Sequence, residues 1–281
     1  KNKRKCFHLI IGDFMEIFAL THPGYKRKNN EDHSLIKEFS DSTCLLAVAD
    51  GMGGQTGGKV ASRIAIRSLE NYDQSLQDAE SQLVGLIEAG HSEIFKAVKK
   101  NPALSGMGTT LSVAYIRGNL VRWAHVGDSR IYLFRDGDLL PITNDHTVPG
   151  MLMKKNRITE EEARKHPMKN LLLRCVGCKK CEPEAGHFKV KPGDTVFICS
   201  DGLYGGISPD AIVSIMKTEQ SWEHKFEDMM DSILETGEVP PNVMISMIQS
   251  NQSLEKKLRA LLDAALEAGG SDNITIVGAE I

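Results

Sequence analysis

Apolar residues fall in short runs along this chain, separated by polar turns, and the runs carry two different periods. Strand-like runs occupy residues 16–20, 43–49, 109–116, 120–126, 130–134, 195–199 and 274–277. Turns as tight as Arg117-Gly118-Asn119 and Arg135-Asp136-Gly137-Asp138 separate neighbours. That spacing predicts antiparallel hairpins and disfavours a purely parallel sheet. Leu83, Leu86, Ile87, Ile94 and Val98 recur at the three-to-four spacing of a helix, as do Leu254, Leu258, Leu261, Leu262, Ala265 and Leu266. Helices before and after a meander of strands give an α+β arrangement with sheets inside and helices outside. The polar stretch 147–170 has short helical signals and little core, so it reads as a flap over one edge. Residues 220–252, with Pro240-Pro241 and a weak apolar pattern, read as a surface insertion.

Length and composition change this picture little. A chain of 281 residues exceeds the rough scale of ~150 per domain, yet single sandwiches reach about 250. The reading is one catalytic domain over 16–281 behind an N-terminal extension, 1–15. A net charge of −3 offers no general attraction to nucleic acid or to anionic membrane, so any phosphate recognition has to be local. No apolar run approaches the ~20 residues that cross a bilayer. The basic start Lys1-Asn2-Lys3-Arg4-Lys5 precedes an apolar stretch too short for a signal peptide and without a small-residue cleavage site. The six cysteines are scattered, Cys44 and Cys199 within strand-like runs, and read as reduced cytoplasmic thiols.

The chemistry lies in where acidic residues meet the strands. Asp50 ends the run Leu45-Leu46-Ala47-Val48-Ala49 and opens Gly51-Met52-Gly53-Gly54, and Asp201 ends Val196-Phe197-Ile198-Cys199-Ser200 and opens Gly202. Asp272 and Asp32 likewise stand just before strands. Any one Asp beside Gly is ordinary turn chemistry. Four carboxylates converging in one cleft repel one another unless cations are present. Hard oxygen ligands, with the Gly51 carbonyl among them, select magnesium or manganese, and the lack of a His-rich cluster argues against zinc. A pair of such ions lowers the pKa of a shared water and clamps an in-line phosphoryl displacement. Arg27 offers the planar fork that holds a phosphate dianion.

Thr21-His22-Pro23-Gly24 with Arg27, Asn30, Glu31 and Asp32, and Ala49-Asp50-Gly51-Met52-Gly53-Gly54 with Gly57, Ala61 and Ser62, form two motifs. Met107-Gly108-Thr109-Thr110, Val126-Gly127-Asp128-Ser129-Arg130, Asp145-His146-Thr147, Cys199-Ser200-Asp201-Gly202-Leu203 and Ser271-Asp272-Asn273-Ile274-Thr275 follow. In kind and order these resemble bacterial type 2C metal-dependent serine/threonine protein phosphatases, over roughly residues 16–280. The resemblance implies a four-layer αββα sandwich of two mainly antiparallel sheets flanked by helices, with a flap near residues 147–170. It implies two manganese or magnesium ions: Asp50 bridging both, the Gly51 carbonyl and Asp32 on one, Asp201 and Asp272 on the other. Arg27 would bind the substrate phosphate and count with Asp50 as catalytic, and Asp128 would contribute to a weaker third ion. A water or hydroxide between the ions would attack phosphoserine or phosphothreonine. The implied partners are proteins phosphorylated by a serine/threonine kinase, met by a cytoplasmic monomer.

Two positions depart from the family's pattern. Gln55 stands where bacterial relatives usually have His, and Gly205 where the family often has an acidic residue; these touch leaving-group protonation and the third ion. The other class of reading is a phosphoprotein-binding module that keeps the fold without turnover. Retention of a costly cluster of like charges speaks against it. Gly53-Gly54-Gln55-Thr56-Gly57-Gly58-Lys59 nearly matches a nucleotide-binding phosphate loop, but Val60 lacks the hydroxyl that loop needs. Cys175, Cys178 and Cys181 read as ordinary thiols rather than a zinc or iron–sulfur site, and His22 and His146 as structural.

Overall fold

The computed structural model describes residues 15–53, 56–75, 78–217 and 253–281. Residues 1–14 of the expected extension 1–15, Gln55 and the segment 218–252, which holds the expected insertion, lie outside them.

Two five-stranded sheets stack face to face. The first runs β1 (Glu16–His22), β12 (Ile274–Glu280), β11 (Thr195–Cys199), β8 (Arg130–Arg135), β9 (Asp138–Pro141) in spatial order. The second runs β10 (Glu184–Lys189), β7 (Leu120–Val126), β6 (Leu111–Arg117), β3 (Thr43–Ala49), β2 (His33–Ser40). Every ladder is antiparallel. A short pair, β4 (Gly51–Met52) with β5 (Gly108–Thr109), closes one end.

The alternation of a pleated strand explains the layers. Cys44, Leu46 and Val48 of β3 meet Ile131, Leu133, Val196, Ile198, Val277 and Ala279 in a core between the sheets. Leu45, Ala47 and Ala49 of the same strand face α1 (Gly57–Leu69) and α2 (Ala79–Lys100). Both faces of β3 are therefore buried, which is why its sequence is one unbroken apolar run. On the other side, α5 (Asp201–Gly206), α6 (Pro209–Lys217) and α7 (Leu254–Glu267) cover β8, β11 and β12 through Leu203, Ile212, Leu258, Leu261 and Phe197. The result is the expected αββα sandwich.

The stretch 147–170 forms α3 (Val148–Lys154) and α4 (Glu160–Lys165), each begun by a threonine cap. Thr147 Oγ1 accepts from the Gly150 amide, and Thr159 with Glu162 forms a reciprocal capping box. In these helices only Pro149, Gly150 and Ala163 are buried, so local capping carries much of their order, as a flap with little core requires.

One expectation is corrected. Cys175 and Cys178 are joined in a disulfide, with Cα atoms 5.3 Å apart, and are not reduced thiols. Gly177 between them, at φ +87°, folds the chain back so that the two side chains meet. Cys44, Cys181 and Cys199 are free.

Candidate metal centre

At the rim where β3 and β11 end, a cleft of about 500 Å³ opens. Asp50 leaves β3 with its backbone fully engaged. Its amide donates to Thr110 Oγ1 at 2.9 Å, and its carbonyl accepts from the Thr110 amide at 2.9 Å and from Thr109 Oγ1 at 2.8 Å. Only the carboxylate remains for the cleft. Thr110 Oγ1 also lies 2.6 Å from Ser129 Oγ, which ties this corner to the Asp128 loop. Gly51 packs so tightly beneath α1 that a Cβ there would collide with the Gly58 carbonyl. This close approach keeps the Gly51 peptide in the cleft wall, as its place in the sequence suggested.

Asp201 follows β11 and begins α5. Beside it, Ser200 Oγ donates to Asp32 Oδ2 at 2.8 Å and accepts from the Thr275 amide at 3.0 Å. Asp272 precedes β12 and accepts from Arg27 Nη2 at 2.7 Å. Asn273 clasps the Arg27 loop to this strand: its Nδ2 donates to the carbonyls of Pro23 and Asn29, and its Oδ1 accepts from the Glu31 amide at 2.8 Å.

Arg27, Asp50, Gly51, Asp128, Asp201 and Asp272 thus line one cleft. Asp32 does not. It is 5% exposed, behind the wall, with Oδ2 held by Ser200 and Oδ1 buried without a partner. Glu31, quoted in the motif but given no role, is on the wall instead, over the first turn of α1. The strand–Asp–Gly pattern singled out Asp50 and Asp201. Glu31, Thr110 and Asn273 carry no such local mark.

The charges do not balance. Burial, then the charges of Asp32, Asp201, Asp128 and Asp272, holds the Asp50 carboxyl well above the usual range. Burial, then Asp201 and Asp145, does the same to Asp128. Burial, then Asp272, pushes Asp201 up to about 6. Burial pushes Asp32 up to about 7 against the opposing pull of hydrogen bonds from Thr275 and Ser200. Asp201 Oδ1 is also buried and unpartnered. Such a set of oxygen donors fits hard divalent cations, which would neutralise it. The carboxylates surround a space rather than a point: among the described residues, no three His, Cys, Asp or Glu side chains form a ready-made coordination sphere.

A family model for Protein phosphatase 2C matches residues 24–262. The chain belongs to the protein phosphatase 2C family. It is 38% identical over 201 residues to the serine/threonine protein phosphatase PstP of Mycobacterium tuberculosis, covering 71% of this chain and 38% of that protein. The chain thus spans well under half the length of the mycobacterial relative. A putative protein phosphatase 2C-type of Streptococcus pyogenes is 34% identical over 233 residues, covering 77% of this chain and 90% of that one. Among solved structures, the M. tuberculosis PstP/Ppp phosphatase superposes with a TM-score of 0.75 at 33% identity, covering 95% of this chain and 98% of that chain. The PstP catalytic domain in complex with two manganese ions gives 0.73 at 32% identity, with 95% and 97% covered.

Within this phosphatase 2C fold the rival readings separate. Lys59 is exposed on the first turn of α1, and β3 runs antiparallel to both neighbours, so the nucleotide-loop reading lacks its parallel scaffold. His22 Nδ1 and His146 Nδ1 accept from the amides of Gly24 and Gly127, roles that are structural as expected. At Gly205 an added Cβ would meet nothing within 4 Å, so the position lies open beside the cleft that Asp128 lines.

Proposed function

We propose that this chain is a metal-dependent protein phosphatase that hydrolyses phosphoserine and phosphothreonine. The observation that carries the reading is the convergence of Asp50, Asp128, Asp201 and Asp272 with Arg27 around one cleft. When bound, two manganese or magnesium ions supply an acidified water and neutralise charge on the phosphoryl oxygens. Asp50 would hold both ions. The Gly51 carbonyl, with Asp32 from behind the wall, would serve one, and Asp201 with Asp272 would serve the other. Asp128 would contribute to a weaker third. Arg27 gives one N–H to Asp272 and keeps the rest of its fork for the phosphate, so a single side chain orients both a carboxylate and the substrate.

The reading extends to residues 16–281 as the catalytic domain behind the extension 1–15. It extends also to a monomer that meets products of a serine/threonine kinase in the cytoplasm. The names of the relatives support phosphoprotein substrates. No helix among the described residues is long and apolar enough to cross a membrane.

The test is hydrolysis of p-nitrophenyl phosphate and of a phosphothreonine peptide with manganese, with magnesium and with chelator. Turnover of both that vanishes in chelator is expected. Phosphopeptide binding without turnover in any metal would favour the non-catalytic module, and full turnover in chelator would remove the metal reading.

A further inference from the structure

Among the described residues seven large apolar side chains are exposed, and four of them, Met151, Met168, Leu171 and Leu173, fall within one stretch of 23 residues beside the cleft. Exposure of single apolar residues is ordinary, whereas clustering beside a binding cleft marks a contact surface. Asn170 and Leu172 line the cleft, so the segment carrying Met168 and Leu171 is its lip. Leu172 is pinned there by a bridge to Thr147, and the Leu173 amide donates to the His146 carbonyl at 2.7 Å. Met168 and Leu171, 43% and 53% exposed, therefore stand on a segment whose backbone is anchored close by.

The rim that carries Arg27 bears Tyr25, at 68% the most exposed of the seven. Its amide donates to the Gly270 carbonyl at 2.7 Å, and its ring lies edge-on to His22. Tyr25 is thus fixed between the Arg27 loop and the approach to Asp272. Between these two rims the cleft holds the cation-binding carboxylates and Arg27, which suit a phosphate and nothing apolar.

We propose that the two rims form a docking surface for the segment of a phosphoprotein that flanks the phosphorylated residue, and that this segment carries apolar side chains within about three residues of it. The proposal rests on the phosphatase reading of the cleft. Its geometric basis is continuity, because the same stretch that lines the phosphate site turns outward as an apolar lip. An extended peptide advances about 3.3 Å per residue, so a phosphorylated side chain in the cleft leaves residues two or three places away, 7–10 Å off, to meet the rims. Acidic flanks would instead have to give up water against the apolar rims without gaining a partner.

The experiment compares phosphothreonine peptides that differ only in flanking residues, apolar (Leu, Phe), neutral polar (Ser) or acidic (Asp), with p-nitrophenyl phosphate as a substrate without flanks, all in manganese. Apolar flanks are expected to give at least about tenfold higher kcat/KM than acidic ones, mainly through KM. Leu171→Asp and Met168→Ser should erase that preference while changing p-nitrophenyl phosphate turnover less than about twofold. Equal turnover of all peptides by the unmodified chain would overturn the proposal, as would a preference that survives in Leu171→Asp combined with Tyr25→Ser. If Leu171→Asp dissociates a dimer seen by size-exclusion chromatography with light scattering, the surface belongs to a second copy and the proposal falls. Absence of p-nitrophenyl phosphate turnover would strike the phosphatase reading itself, a different result from loss of flank preference.

Discussion

Two groups of buried charge meet at one turn of this molecule, and they are solved in opposite ways. Arg130 is nearly enclosed, yet every part of its guanidinium has a partner. Nε and Nη2 pair with the two oxygens of Asp145 at 2.9 and 2.8 Å, Nη1 reaches Tyr132 and Glu160, and the ring of Tyr204 lies 3.7 Å beneath. Two residues earlier, Asp128 belongs to the other group, where Asp50, Asp201 and Asp32 have one another's like charge for company. Tyr204 touches both, since its hydroxyl donates to the Asp128 carbonyl at 3.0 Å. Burial alone does not mark a functional site: the paired cluster holds structure, and the unpaired one is where the proposed function puts the cations.

The sharpest way to break that contrast is to remove one charge from each. Asp50→Asn should lower manganese-supported turnover at least about 10³-fold, about 4 kcal/mol of transition-state stabilisation. Asp201→Asn and Asp272→Asn should follow it. The metal-free Asp50→Asn protein should at the same time unfold at a higher temperature than the unmodified chain, because one of several like charges is gone. Arg130→Met is expected to do the reverse. It strands Asp145 and costs about 3–5 kcal/mol in urea unfolding, the scale for breaking a buried pair. Should both substitutions destabilise the metal-free fold alike, the two clusters do not differ in kind.

The paired and unpaired clusters were not equally legible in the sequence. The strands β3 and β11 appear at their full extent because burial leaves long apolar runs in them. The edge strands β9 and β10 are half polar and leave no such run, since one flank of each faces solvent or a helix. The acidic cluster shows because each carboxylate leaves a strand into a Gly turn or stands just before a strand, a local signal. The Asn273 clasp joins residues 242 to 250 apart in sequence, and no local pattern encodes it. For the same reason the place of Asp32, behind the wall rather than on it, needed the folded geometry. The Cys175–Cys178 link likewise depends on a turn that spacing alone left open.

Arg27 sits at the border between the two kinds of charge, with one carboxylate partner and a free fork. Its removal should matter less than that of a cation ligand. Charge-assisted pairing with phosphate contributes about 1.5–3 kcal/mol, so Arg27→Ala should lower kcat/KM on a phosphopeptide by roughly tenfold to a hundredfold, mainly by raising KM. Unchanged efficiency would take Arg27 out of the site.

A smaller effect should appear in stability against pH. Asp201 and Asp32 titrate at about 6 and about 7 in the folded chain, above the value of 3.8 for a free Asp, so the metal-free fold binds protons that the unfolded chain releases. Raised carboxyls stabilise the fold as pH drops below their folded values. Their repulsion grows as pH rises through these values. Manganese should therefore raise Tm more at pH 8 than at pH 5.5, by a few degrees on the scale of about 2–4 °C per kcal/mol, and its binding should release protons. Equal shifts at the two pH values would mean that the carboxylates carry their charge in both states without penalty.

The smallest effect is expected from the one positive charge that a phosphate-loop reading would make indispensable. Lys59 occupies the first turn of α1, where the helix dipole is positive and a cation gains nothing from it. Its side chain is exposed and is absent from the cleft wall. Its backbone touches the wall residue Glu31: a hydrogen bond from the Lys59 main chain draws the Glu31 carboxyl downward against the burial that raises it. Lys59→Ala keeps that amide and discards only the ammonium group. Turnover of p-nitrophenyl phosphate should stay within about twofold of the unmodified chain, since exposed surface charges act weakly across a screened solvent. A loss of tenfold or more would show that the ammonium group reaches the phosphate. Arg27 would then share its task with a second cation, from the first turn of α1.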